Sequence, residues 1–208
     1  MDPLTRRSAL RFAGVGMGVA VVGCLDDGGN NGGGTDNGGA GGGPALTDYE
    51  VMQFGPTSTR PAWHEDEDAT GCVEFYADET EARDALDRLI EDKERRAEGE
   101  SFVDKTDFDE SNILYVASVG PNTCYREIDV RELEVESDRL VGTVAAIDPE
   151  EGERACGQAI TYPAALIRTT FDDEPPEQTS ITVIDGWENE ADVDVSAGET
   201  PCKDADSP

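Results

Sequence analysis

The chain has 208 residues, with 47 acidic against 16 basic side chains and a formal net charge of −31. A field of that sign disfavours nucleic acid and anionic membrane surfaces as partners. One histidine and five cysteines also leave few ways to assemble a histidine-based triad or a zinc centre.

Residues 1–23 read as an export signal. Arg6 and Arg7, helped by Arg11, form a basic start, and the weakly apolar stretch from Phe12 to Gly23 follows. That stretch is shorter than the ~20 apolar residues a membrane span needs. It has the layout of a cleavable secretory segment. The run Thr5-Arg6-Arg7-Ser8-Ala9-Leu10-Arg11 resembles the twin-arginine signal of proteins exported in the folded state. Val21-Val22-Gly23-Cys24 resembles a lipobox, which makes Cys24 the expected lipid-bearing first residue of the mature protein. The competing reading is a buried or free cysteine.

Residues 24–44 read as anchor and spacer. Leu25 to Pro44 is nearly all Gly, Asn, Asp and Thr, so it cannot bury apolar surface and is expected to be disordered. A Gly-rich coil of that length has a mean reach of roughly 25 Å. Residues 45–205 then suit a single domain. Removing Asp2, Arg6, Arg7 and Arg11 with the signal leaves 46 acids and 13 bases. The acids are spread along the whole domain, and lysine occurs only at Lys93, Lys105 and Lys203. This pattern fits a halophilic surface, where molar salt shortens the Debye length to about 3 Å. The alternative is a specific surface for cations or basic proteins.

Tyr49–Phe54 reads as a first strand ended by Gly55-Pro56, and Cys72–Tyr76 as a second. Asp78 is a helix cap, with Glu81 three residues on to complete a capping box. Ala82, Leu86, Leu89 and Ile90 then share one helical face, and the helix is expected to fray around Gly99. Ile113–Val119 is a continuous apolar run, expected as a central strand buried on both faces. Gly120-Pro121-Asn122 breaks it. Ile128 and Val130 alternate with polar residues, then Leu133 and Val135 take the opposite phase, a slip that predicts a bulge. Glu136-Ser137-Asp138 is a turn to a hairpin partner, Leu140–Ile147. Gly157–Tyr162, Ala164–Phe171 and Ile181–Ile184 supply further strands. One amphipathic helix among six or more short strands makes an α+β domain, mainly antiparallel.

Without Cys24, four cysteines remain: Cys72, Cys124, Cys156 and Cys202. An even number outside the cell favours two disulfides, with three possible connectivities. No C-x-x-C pair occurs, and His64 is not spaced as a partner ligand, so no metal and no cofactor are expected. His64 precedes Glu65-Asp66-Glu67-Asp68, which reads as a solvated acidic loop beside a half-buried Trp63 and lacks the spacing of a calcium loop. The carboxylate neighbours Asp107/Asp109 and Asp192/Asp194 arise by chance in so acidic a chain. No catalytic constellation is found.

Asp107-Phe108, Ile113–Val119, Gly120 and Tyr125 opening an alternating strand, followed by the hairpin to Pro149 and Ala159-Ile160-Thr161-Tyr162-Pro163, make up a longer pattern. It resembles the protease-complex stabilising lipoprotein domain, the PrcB-like family, over about 107–170. Here it would sit in a haloarchaeal twin-arginine lipoprotein. In that family a Gly usually precedes the Tyr. Here it is Cys124, and Cys156 stands before the Thr-Tyr-Pro segment, which suggests a disulfide between the two segments. Cys72 would then pair with Cys202 and clamp the C-terminal tail to an early strand. The resemblance implies a non-enzymatic accessory domain, anchored to the outer membrane face through lipid on Cys24, that binds or stabilises another exported protein, in one form a protease. Tyr125 and Tyr162 are the candidate contacts if their rings are exposed, with core packing as the competing role. A surface binder of a small solute or cation is the second reading.

Overall fold

The computed structural model describes residues 43–65, 69–150 and 155–202. Arg6, Arg7, Cys24, the spacer through residue 42, the acids at 66–68 and Lys203 lie outside the described residues. The strands are β1 Leu46–Thr57, β2 Gly71–Tyr76, β3 Ser111–Ser118, β4 Glu127–Glu136, β5 Arg139–Ile147, β6 Tyr162–Phe171, β7 Gln178–Ile184 and β8 Glu190–Ser196. The helices are α1 Glu79–Leu89 and α2 Lys93–Val103. One sheet runs β1-β6-β3-β2 and the other β4-β5-β7-β8. Every pair is antiparallel except β5 and β7. Those two run parallel because the chain leaves the second sheet after β5, forms β6 in the first, and then returns.

Two cores separate three layers. Ile113, Tyr115 and Ala117 of β3 pack with Ala82, Leu86 and Phe102 of the helices. Leu114 and Val116 pack instead with Leu140, Val144, Ile181 and Val183 of the second sheet. Side chains alternate across a strand, so a strand between two apolar layers needs apolar residues at every position. All eight residues of β3 are buried: Ile113–Ala117 form the apolar run, and the polar Asn112 and Ser118 at its ends donate to the carbonyls of Pro176 and Thr70.

The Asp78 carboxylate accepts the Glu81 amide at 2.9 Å. The Glu81 carboxylate lies against Gly198 instead of reaching back, so α1 is capped from one side. Ala82, Leu86 and Ile90 are buried and Leu89 partly so. The chain does not fray at Gly99. α1 ends at Leu89, Asp92 caps a second helix through the amides of Glu94 and Arg95, and Gly99 lies buried inside α2. A Cβ there would stand 2.9 Å from Leu86 Cδ2. Close helix packing therefore selects the glycine that reads as a break.

Two further expectations are corrected, and one strand is added. Gly55-Pro56 does not end β1. Gly55 adopts φ +71° at a register shift, and the strand continues to Thr57, pairing Pro56 with Pro163. Residues 157–160 form no strand, and Thr161 makes only an isolated bridge to Gly120. The Gly157 amide donates to the Thr123 hydroxyl and the Thr123 amide to the Gly157 carbonyl, which pins this stretch to a loop. β8 is an added strand. Its Ala191, Val193 and Val195 alternate with Glu190, Asp192 and Asp194, which give this sheet edge a charged rim that resists edge pairing.

The hairpin follows its sequence pattern. The register shifts between Val130 and Glu132. Ser137 and Asp138 take φ of 50° and 63°, as a tight hairpin turn requires. Two disulfides join Cys124 to Cys156 and Cys72 to Cys202, with Cα separations of 5.5 and 5.7 Å. Both separations suit an unstrained bridge.

Candidate functional site

Two features stand out from the packed frame. The first surrounds Tyr125. After β3, Gly120 and Thr161 exchange two backbone hydrogen bonds. The Thr161 hydroxyl lies 3.0 and 2.9 Å from the carbonyls of Asn122 and Tyr125. The Gly186 amide donates to the Val119 carbonyl, docking the β7–β8 turn on the same spot. A Cβ on Gly186 would come within 2.3 Å of Pro121 and 2.8 Å of the Tyr125 ring, so only glycine fits.

That turn is strongly specified. The buried Asp185 carboxylate accepts the amides of Trp187 and Asn189 at 2.8 and 2.9 Å, and the Asn189 side-chain amide at 2.8 Å. Glu188 takes φ +66°, a left-handed conformation that an ordinary residue adopts only under such constraint. The result holds Trp187 out, 50% exposed. Ile160, which precedes the Thr161 bridge, is also exposed. Tyr125 is half-buried, its ring against Gly186 and its carbonyl against the Thr161 hydroxyl. Trp187 and Ile160 are two of the three large apolar side chains exposed among the described residues.

The second feature is a cleft of about 740 Å³ between the end of β1 with its following loop and the α1–α2 turn. Tyr115, Ala117, Tyr162 and Ala164 form its floor, and Trp63 one wall. Tyr162 is buried, so the condition that its ring be exposed for a partner is not met. Its ring meets Trp63 and His64 edge-on at 6.0 and 5.2 Å, and its hydroxyl lies 3.3 Å from His64 Nδ1. Burial pushes the Tyr162 hydroxyl up, against a smaller opposing pull from Arg60. It therefore stays protonated and is no nucleophile near neutrality. His64 is itself buried, and its ring packs edge-on against Trp63 and Tyr162.

Beneath the cleft lies a charged network that the sequence reading missed. Glu74 of β2 is 0% exposed and points to the helix side of its sheet. Arg88 of α1 donates to both of its carboxylate oxygens, the Tyr76 hydroxyl donates to one, and the Cys202 amide to the other at 3.2 Å. Burial disfavours the Arg88 charge, but the hydrogen bonds and charge of Glu74 outweigh it and hold the guanidinium above its ordinary pKa. Tyr76 and Tyr115 are pushed well above the usual phenol range, first by burial and then by Glu74. The one signal in the sequence was an acid in the middle of an apolar strand.

Among the described residues, the side chains able to share a metal ion are Cys124, Asp148 and Cys156, but both thiols are consumed in a disulfide. Asp107 accepts the Asp109 amide in a turn, Asp192 accepts the Thr182 hydroxyl, and Asp194 pairs with Arg139. These acids have structural partners. No described helix is long and apolar enough to cross a membrane. No family model, curated protein or solved structure matches the chain.

Proposed function

We propose that this chain is an exported, lipid-anchored accessory protein that holds another exported protein at the outer face of the membrane, without catalysis. The observation that carries this reading is Trp187. Tryptophan is the residue most enriched where interfaces concentrate binding energy. Here it is presented on a turn held by three hydrogen bonds to one buried carboxylate. A surface that served solubility alone would not spend that specification on an exposed indole. The half-buried Tyr125 ring lies against Gly186 at the base of this turn, and the acids Glu188 and Glu190 that follow Trp187 are exposed. The matching partner surface is an apolar pocket with a basic rim.

The rest of the chain supports the same reading. Arg6 and Arg7 suit export, Cys24 suits lipidation, and the Gly-rich spacer presents one domain outward. The resemblance over 107–170 points to stabilising a neighbour, in one form a protease. Capture from membranes kept in molar salt, followed by mass spectrometry, tests the reading. One protein should recur with the parent chain and fall about thirtyfold with Trp187→Ala, the size of a central anchor lost. Recovery of that protein unchanged with the variant would refute the assignment of the surface.

A further inference from the structure

We propose that the cleft beside the α1–α2 turn is a second, independent site, one that binds a small organic monocarboxylate with an apolar body. Acids outnumber bases 47 to 16 in this chain, so a guanidinium without a carboxylate in direct ion-pair contact runs against the composition. Six of the nine described arginines, Arg83, Arg88, Arg96, Arg126, Arg139 and Arg168, have an ion-pair partner. Of the remaining three, Arg60 and Arg95 line this one cleft.

Both are placed for a ligand. Arg60 donates from Nε to the His64 carbonyl at 2.8 Å and from Nη2 to the Glu65 carbonyl at 3.0 Å. Carbonyls orient a guanidinium without neutralising it, so the charge stays available on a preorganised fork. Arg95 is half-buried and extends from α2 towards β1, where a Cβ on Gly55 would stand 4.0 Å from its Nη2. Gly55 sits at the β1 bulge with no side chain to cover it. The third guanidinium of the cleft, Arg88, is spent on Glu74.

The remaining lining sets the kind of anion. Trp63, Tyr115 and Tyr162 offer aromatic surface for an apolar body. The volume lies within the range of small-molecule pockets. Two acids, Glu91 and Asp92, stand at the rim. Asp92 turns its carboxylate to the α2 amides, and those hydrogen bonds, the Arg95 amide first, together with a smaller pull from the Arg95 guanidinium, which it does not contact as an ion pair, hold it below the usual carboxylate range. It therefore remains charged and, with Glu91, repels multiply charged anions. A planar carboxylate matches the guanidinium fork in two parallel hydrogen bonds.

The test uses the full chain with Trp187→Phe, which leaves Trp63 as its only tryptophan. Phenylacetate is titrated against Trp63 fluorescence, with phenylacetamide as its uncharged isostere. Saturable binding is expected for phenylacetate and at least about tenfold weaker binding for the amide. Arg95→Gln should lower phenylacetate affinity about tenfold, and Arg95→Lys less, because charge survives while the fork is lost. Circular dichroism confirms that the variants remain folded. Equal binding of acid and amide, an unchanged affinity in Arg95→Gln, or no saturable signal up to about 10 mM phenylacetate would overturn the proposal.

Discussion

Replacing Arg88 with Met isolates the buried network under the helices. The parent arrangement gives the Glu74 carboxylate four hydrogen bonds, two from Arg88, one from Tyr76 and one from the Cys202 amide. The variant keeps the last two and loses the only positive charge paired with a carboxylate that is 0% exposed. Breaking a buried pair from one side costs about 3–5 kcal/mol, because the remaining charge is stranded. The low end applies here, since the Arg88 side chain is 28% exposed and water can reach part of the gap. A loss of about 3 kcal/mol in a domain of this size lowers Tm by roughly 9 °C. The double variant Glu74→Leu, Arg88→Met removes both charges and should recover part of that loss, the Tyr76 hydroxyl and the Cys202 amide being left without their acceptor. Thermal melts and urea unfolding of parent, single and double variants measure this. A single-variant loss below about 1 kcal/mol, or a double variant no more stable than the single, would refute the reasoning.

Three other outcomes follow from the same structure. The Cys72–Cys202 bridge spans 130 residues and Cys124–Cys156 spans 32, so chain entropy assigns them about 5 and about 4 kcal/mol. Paired Cys→Ser variants should rank in that order in urea, and non-reduced peptide mapping that links Cys72 to Cys124 would contradict the connectivity. The folded state keeps the Tyr76 and Tyr115 protons that the unfolded chain releases near pH 10. Their contribution is therefore complete below pH 10 and lost above it, at up to about 1.4 kcal/mol per pH unit per tyrosine. Tyr115→Phe should flatten the decline between pH 10 and 11, and a variant profile identical to the parent's would count against this. Cys24→Ser should release the protein from membranes into the medium, since stable anchoring takes two lipid chains. Retention on membranes after a high-salt wash would exclude lipidation at Cys24.

What was legible in the sequence is what local pattern and layer position both dictate. β3 reads as buried on both faces because it lies between the helices and the second sheet. The phase slip between Val130 and Leu133 marks the bulge because side-chain alternation admits no other remedy. α2 escaped because Gly99 is a poor helix former in isolation, and only its contact with Leu86 makes it the right residue. β8 escaped because three acids in seven residues hid the Ala191, Val193 and Val195 alternation. The exposed indole was equally readable in principle. Asp185-Gly186 after an apolar strand is a hairpin signal, and the capture of that carboxylate by Trp187 and Asn189 is a local contact two and four residues on; only the docking of the Gly186 amide on the Val119 carbonyl is tertiary. Glu74 could not be paired with Arg88 from the sequence, since the two meet only when α1 packs on β2.

Position 187 offers the most direct test of the accessory role. A photo-crosslinking amino acid replaces Trp187 in the anchored chain, and a control carries it at Glu134, exposed on the outer sheet. Irradiation of membranes in molar salt should join position 187 to one recurring exported protein and leave position 134 without that product. Deleting the domain should then lower the level of the captured protein. Equal crosslinking from both positions, or an unchanged level of the captured protein after deletion, would contradict the account.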